Sequence, residues 1–222
     1  MTDDGYTGDV EVGGPWDVRR LPELTIVKLA VGAMNNNAYL LRCTASGEGL
    51  LIDAAAEADR LTELVRFEGP PVSGIVTTHR HEDHWTALAA TVVDAGAAAY
   101  AGEEDADELP VAVDERLHHG DVVAVGEVVL EVIGLRGHTP GSVALLHRPA
   151  DGRPHLFTGD SLFPGGVGKT WAPDDFTSLL DDVAARVFDV LPDDTWVYPG
   201  HGNDTTLGAE RPSLPEWRAR GW

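Results

Sequence analysis

An α+β sandwich, with two sheets face to face and helices outside, is the fold class this sequence predicts. Three observations predict it. Short apolar runs broken by Gly or Asn outnumber helical stretches. Helical stretches occur in both halves of the chain. Each half runs through strands, a helix and then a polar loop. Residues 1–23 are rich in Gly and Asp, carry Pro15 and Pro22, and read as a partly ordered N-terminal arm; residues 24–222 read as one domain. Thr25–Val31, Ala38–Cys43 and Gly49–Asp53 are short apolar runs and therefore strands. Ala56–Phe67 has helical spacing, with Leu61, Leu64 and Val65 on one face. Val72–Thr78 is a β-branched run expected as a buried strand, and Trp85–Asp94 a helix stopped by Gly96. Ala97–Ala101 follows as a strand before an acidic turn. Val122–Ile133 breaks at Gly126 into a hairpin. Ser142–His147 and His155–Thr158 are further strands. Pro173–Leu191 is the clearest helix: Phe176, Leu179, Leu180, Val183 and Val187 form its apolar stripe, and Asp174 and Asp175 sit in its positive first turn. Thr195–Tyr198 is the last strand, and the tail from Leu207 is partly helical.

Composition bounds the function. The 222 residues are 43% apolar and 24% charged, as in an ordinary globular protein. A formal charge of −21, from 37 acids against 16 bases, repels phosphate backbones and anionic lipid, which argues against nucleic acid and membrane surfaces as partners. The single cysteine, Cys43, has no partner for an internal disulfide. It sits mid-strand, where it is expected to be buried and inert, and the count fits a reducing cytoplasm. No basic-apolar leader opens the chain, and no apolar run reaches the roughly 18 residues of a membrane span. All but two of the 16 bases are arginine; Lys28 and Lys169 are the exceptions. With abundant Ala, Gly and Val, that balance suits a GC-rich bacterial genome.

The chemistry concentrates in Thr77-Thr78-His79-Arg80-His81-Glu82-Asp83-His84-Trp85. Four potential metal ligands, His79, His81, Asp83 and His84, lie at the junction of an expected strand and an expected helix. An extended loop puts His79 and His81 on one side, and the turning chain lets Asp83 and His84 face a second ion. Imidazole and carboxylate suit Zn²⁺ or Fe²⁺. Three later segments add one donor each at a strand end: His138 in Gly137-His138-Thr139-Pro140-Gly141-Ser142, Asp160 in Thr158-Gly159-Asp160-Ser161, and His201 in Tyr198-Pro199-Gly200-His201-Gly202.

Together HRHEDH, GHTPGS, TGDS and PGHG resemble the metallo-β-lactamase-fold hydrolases, and most closely the glyoxalase II-like (hydroxyacylglutathione hydrolase-like) branch. The resemblance runs from about Thr25 to Arg211. It implies a four-layer αββα sandwich. It also implies that His79, His81 and His138 hold one divalent ion, that Asp83, His84 and His201 hold a second, and that Asp160 bridges them. Zinc is the expected metal, with iron or manganese as alternatives. Asp160 stands where the commonest metallo-β-lactamases carry Cys, which speaks against antibiotic hydrolysis. His81 stands where flavodiiron relatives carry Glu. Only 20 residues follow Gly202, so the glutathione-gripping helical domain of glyoxalase II is expected to be absent.

Two cations would lower the pKa of an intervening water from about 15.7 to near 7, and one would polarise a carbonyl, so neither a Ser nor a Cys nucleophile is needed. Asp83 is the expected catalytic acceptor for that water. Lys169, in the loop after the bridging Asp, resembles the family's substrate-binding base, and Asn36 in Met34-Asn35-Asn36-Asn37 resembles a substrate-orienting amide. Phe163 stands where a phosphate-binding GxxxxGK[ST] loop needs its first glycine, so Gly168-Lys169-Thr170 is not such a loop. Tyr198 is expected in the core. Among Trp85, Trp171, Trp217 and Trp222, most are expected as packing anchors, some as groove walls. The expected substrate is a small acyl-thiol, carried by glutathione or by mycothiol. The alternatives are a mononuclear-iron persulfide dioxygenase, a lactonase or other ester hydrolase, a partner-binding metal module, and a nuclease, which the charge disfavours. The oligomeric state leaves no trace in the sequence.

Overall fold

The computed structural model describes residues 5–150 and 152–221. Its first sheet has seven strands in chain order: β1 (Asp17–Arg20), β2 (Leu24–Val31), β3 (Asn36–Cys43), β4 (Gly49–Ile52), β5 (Gly74–Thr77), β6 (Ala98–Gly102) and β7 (Glu115–Leu117). Strands β1 to β4 pair antiparallel, and β4 to β7 parallel. The parallel crossovers carry α1 (Ala58–Leu64) and α2 (Leu88–Ala95) on the outer face. The second sheet is built from β8 (Val122–Val125), β9 (Val128–Gly134), β10 (Val143–His147) and β11 (His155–Gly159). After a two-stranded hairpin, β12 (Leu162–Phe163) and β13 (Gly166–Val167), and α3 (Pro173–Val183), the chain adds β14 (Trp196–Pro199) and β15 (Thr205–Thr206) to that sheet. Strand β14 runs parallel to β11. The chain closes with α4 (Leu207–Glu210) and α5 (Leu214–Arg220).

Three apolar cores define four layers. Leu24, Ile26, Leu41, Ile52 and Val76 of the first sheet meet Val125, Leu130, Val132, Leu145 and Phe157 of the second. The opposite faces of the same strands, through Val27, Leu29, Leu40 and Ile75, pack on Leu61, Leu64 and Leu88 of α1 and α2. Ile133, Ala144, Leu146 and Val197 pack on Leu179, Leu180 and Val183 of α3 and on Trp217 of α5. This is the αββα sandwich the strand order implied. Because each central strand is covered on both faces, β2 reads as a mostly apolar run, interrupted by Thr25 and Lys28, and not as an alternation.

Boundaries differ from expectation for local reasons. Helix α1 starts two residues late because Glu57 sits at φ 55, outside helical space. The segment after His81 first makes a 3₁₀ turn, Glu82–His84, and α2 begins only at Leu88. Helix α3 ends at Val183 and widens into a π-helical turn over Ala184–Phe188. Gly96 ends α2 in the left-handed conformation, as expected. Within the first 23 residues, β1 pairs along β2, and Tyr6 is buried in the central core. Trp222 lies outside the described residues.

Candidate metal centre

The ends of β5, β9, β11 and β14 open on one edge of the sandwich, and the seven expected donors converge there. His79 and His81 leave the end of β5, Asp83 and His84 sit on the 3₁₀ turn, and His138 follows β9. Asp160 follows β11, and His201 follows β14. His79 Nε2, His81 Nδ1 and His138 Nε2 form a triangle of 3.1, 2.9 and 3.3 Å sides. Three ring nitrogens this close cannot all share protons in pairs. Three nitrogens about 2.1 Å from one tetrahedral zinc would stand about 3.4 Å apart, which is nearly this triangle. A second triad follows the same logic: His84 Nε2 lies 3.1 Å from His201 Nε2, and Asp83 Oδ2 lies 3.6 and 3.3 Å from these two nitrogens. Asp160 spans both: its Oδ2 is 3.6 Å from His138 Nε2 and 3.3 Å from His201 Nε2, and its Oδ1 is 3.3 Å from His84 Nε2. Among the described residues, buried Asp160 Oδ1 has no donor aimed at it beyond the His84 ring, 3.3 Å away, as expected of an oxygen reserved for a cation. The donor chemistry, the spacings and this orphaned oxygen fit divalent metal ions. Each triad takes two donors from the first half of the chain and one from the second.

Outer contacts fix which nitrogen faces inward. His138 Nδ1 donates to Lys169 O at 2.6 Å, His201 Nδ1 to Met34 O at 3.0 Å, and His84 Nδ1 to Asp53 Oδ2 at 2.8 Å. Each Nδ1–H turns Nε2 inward, where its lone pair serves a metal once any proton there has left. His79 Nδ1 rests on Thr78 Oγ1 at 3.1 Å. The turn carrying His201 is pinned from the first sheet. Lys28 Nζ donates to Gly202 O at 2.8 Å, Asn37 Nδ2 to Pro199 O and Gly202 O at 2.9 Å each, and Tyr39 Oη to Pro199 O at 2.7 Å. Glycine is required at Gly200, where a Cβ would collide with Asp160 Oδ1 and stand 2.8 Å from His84 Cε1.

Titration follows burial and contact. Burial, with neighbouring imidazoles, holds His79 well below its ordinary value, and burial also lowers His81 and His138. Burial would lower His84 too, but the Asp53 and Asp160 carboxylates outweigh it and raise it to about 10. His201 is likewise raised against its burial by Asp160. Asp160 is held well below the carboxylate range despite burial, by His201 and His84. Burial thus favours the neutral imidazole in the first triad, and Asp160 favours the protonated ring in the second.

Two carboxylates outside the sequence reading organise the site. Asp53, at φ 58 directly after β4, is buried. Its Oδ1 accepts from Thr78 N at 2.7 Å, and its Oδ2 from Thr78 Oγ1 and His84 Nδ1 at 2.8 Å each. A positive φ on a non-glycine residue marks a conformation held by its surroundings. Asp105, wholly buried, accepts from Arg80 N (3.0 Å), Thr139 Oγ1 (2.5 Å) and Gly141 N (3.0 Å), and so clamps the His79–His81 loop to the His138 turn. Asp53 carries a sequence signal, a carboxylate ending an apolar strand as Asp160 does. Asp105, inside Glu103–Glu108, carries none. Asn36 Nδ2 donates to Asp83 Oδ2 at 2.8 Å, so the structure puts this amide on the carboxylate. Lys169 is exposed, its ammonium 4.4 Å from the Trp171 ring centroid. Trp171, 60% exposed, stands with its ring 6.2 Å from that of His81. Trp85 donates to Arg80 O at 2.8 Å, and Trp217 is buried against Phe188. Tyr198 is in the core, its hydroxyl 2.8 Å from both Arg19 and His155. Cys43 is buried as expected, but as the last residue of β3 and not mid-strand.

A four-layer sandwich with a His/Asp cluster at one sheet edge defines a metal-binding enzyme class. The model of the Metallo-beta-lactamase superfamily matches residues 31–201, and the chain belongs to that superfamily. Within it the chain is similar to glyoxalase II-like proteins. The hydroxyacylglutathione hydrolase of Polaromonas sp. (strain JS666) is 35% identical over 76% of this chain and 63% of its own length. Hydroxyacylglutathione hydrolase GloC of Haemophilus influenzae is 27% identical over 74% of this chain and 85% of its own. The chain thus spans less than two thirds of the Polaromonas relative. Among solved structures, ETHE1 from Myxococcus xanthus superposes with a TM-score of 0.74 at 28% identity, over 86% of this chain and 83% of its own. TTHA1623, solved in a di-iron-bound form, superposes with a TM-score of 0.69 at 30% identity, over 85% and 98%.

Proposed function

We propose that this chain is a dinuclear metallo-hydrolase that cleaves a small acyl-thiol, with His79, His81 and His138 holding one divalent ion, Asp83, His84 and His201 a second, and Asp160 between them. The observation that carries this reading is the pair of donor triads joined through Asp160. When bound, such ions supply an acidified water and a polarised carbonyl. The chain's own groups do the rest. Asp83, held by the Asn36 amide, accepts a proton from the attacking water. Water adds to the thioester carbonyl, the C–S bond breaks, and a carboxylic acid and a thiol leave. Lys169 at the mouth is the substrate-binding cation. The glyoxalase II-like relatives support thioesters over other esters, and the ligand set is expected to take zinc, with iron or manganese as alternatives. We place the protein in the cytoplasm and expect no nucleic-acid or membrane partner, in line with its charge of −21.

The test is purified protein with its metals counted, then assayed on S-lactoyl-glutathione, mycothiol thioesters, lactones and cephalosporins. Two metals per chain and fastest turnover of a thioester are expected. Lactones cleaved much faster than every thioester would overturn the substrate class. The similarity to ETHE1 motivates a second reading, a mononuclear-iron persulfide dioxygenase; one iron per chain with oxygen uptake on glutathione persulfide would establish it.

A further inference from the structure

The N-terminal segment reaches the back of the turn that carries His201. Tyr6 is buried in the central core, its ring 6.1 Å from that of Trp196, and its Oη donates to Asp204 Oδ2 at 2.8 Å. Two residues on, Gly8 O accepts from Lys28 Nζ at 2.7 Å. Asp17 Oδ2 holds the chain between them, accepting from Thr7 N at 2.9 Å and from Gly8 N at 3.0 Å. Residue 8 has to be glycine on two counts: its φ is 72, and a Cβ would stand 2.5 Å from Asp204 Oδ2.

Lys28 and Asp204 form an ion pair of 2.7 Å, with side chains 0% and 2% exposed. Burying two charges is costly unless the remaining protons and lone pairs are also matched. On the ammonium the match is complete: its three protons go to Asp204 Oδ1, Gly202 O and Gly8 O. The carboxylate takes Lys28 on Oδ1, and on Oδ2 it takes Tyr6 Oη and Trp196 Nε1, at 2.8 Å each. The N-terminal segment thus supplies one of the acceptors around the cation and one of the donors around the anion. The other side of the pair is the His201 turn itself. Gly202 adjoins that ligand, and Asp204 follows two residues later. His79, His81 and His138 are carried by other loops, after β5 and β9.

We propose that Tyr6 and Gly8 are positioning residues of the second metal pocket: they complete the surroundings of Lys28 and Asp204, and through that pair fix the turn that aims His201 Nε2. The inference rests on the dinuclear reading above, and it concerns affinity for the second ion, not the substrate. A metal ligand binds best when the contacts behind it fix its orientation; here such a contact comes from a segment 198 residues away in sequence. Loss of the Tyr6 hydroxyl leaves Asp204 Oδ2 one donor short, so the pair and the turn bonded to it settle less firmly, and the second pocket loosens before the first.

Two variants of the full chain test this. Tyr6→Phe removes one hydroxyl and keeps the ring in the core. Lys28→Met combined with Asp204→Asn removes both charges together, so no lone buried charge remains, and the Asn carbonyl still accepts from Tyr6 and Trp196. In stepwise zinc titration against a chromophoric chelator, Tyr6→Phe should weaken the second site about threefold to tenfold, the worth of one net hydrogen bond. The double variant should weaken it about 10–100-fold, and Tyr6→Phe decides alone if the double variant does not fold. The first site should change less than about twofold in each. Hydrogen exchange on the stripped variants should speed up over residues 200–204 and keep the wild-type rate over residues 137–141. A merely structural role predicts a lower Tm with both zinc affinities unchanged or lowered by one common factor. Either result would overturn the inference and leave the dinuclear reading standing. Wild-type protein that binds a single zinc would overturn both.

Discussion

Asp53→Asn is the sharpest probe of the outer contacts, because it conserves shape and changes what His84 can do. In the native site Asp53 Oδ2 accepts from His84 Nδ1 at 2.8 Å, which leaves Nε2 as the lone pair facing His201, Asp83 and Asp160. Asn can keep the bond from Thr78 N on its carbonyl oxygen, and that turns its NH₂ toward His84. Nδ1 must then accept, and the ring proton moves to Nε2, the nitrogen the second metal needs. Losing a charge-assisted hydrogen bond costs about 1.5–3 kcal/mol. Changing a contact behind a metal ligand costs about 10–100-fold in affinity, or about 1.4–2.8 kcal/mol, so the two routes agree. Stepwise zinc titration of the stripped protein against a chromophoric chelator should show the second site weakened by about 10–100-fold and the first by less than about threefold. Equal affinities in variant and wild type, or a loss confined to the first site, would refute the tautomer argument.

Asp160→Ala should weaken both metal sites, since its oxygens contact nitrogens of both triads; element analysis after dialysis would read about zero to one metal per chain. Metal binding at the second triad should strengthen with pH more steeply than at the first. Its His84, raised to about 10, must release a proton and its His201 is shifted the same way, whereas His79, His81 and His138 are shifted toward the neutral form; pH-resolved titration checks this. Lys169→Ala should raise KM more than it lowers kcat if the ammonium only binds substrate, and steady-state kinetics decides. His155 is buried and pushed down to about 3 by burial, with Arg19 and His147 adding to it. Its folded value lies below the unfolded one of about 6.5, so its stabilising contribution is full above that pH and is lost as pH falls toward 3. The loss approaches about 3–5 kcal/mol, and His155→Gln should flatten this part of the acid-unfolding curve in urea melts.

Most strands were legible because burial on both faces makes them largely apolar runs, as in Gly49–Ile52 and residues 143–146. Strand β1 was not, since Asp17-Val18-Arg19-Arg20 reads as polar. It becomes a strand because β2 leaves an edge for it and because the Arg19 guanidinium stacks over the Tyr6 and Trp196 rings, at 4.1 and 3.9 Å. Strands β7, β12, β13 and β15 are two or three residues long, too short for any period to register. The convergence of His79, His81, Asp83, His84, His138, Asp160 and His201 was legible as four local motifs. The roles of Asp53, Asp105 and Lys28 were not, because each is defined by contacts 20 or more residues away. Lys28, one of two lysines in the chain, is fully buried against Asp204 at 2.7 Å.

The division of each donor triad between the two halves of the chain has a mechanical consequence. Neither half alone completes a triad, so an ion in either pocket would act as a rivet through the seam between the sheets, and part of its binding energy would become cohesion of the whole sandwich. Chelator treatment should therefore loosen the seam before it melts either sheet, and a nick or slip that lets the halves part would silence the enzyme even with every ligand side chain intact.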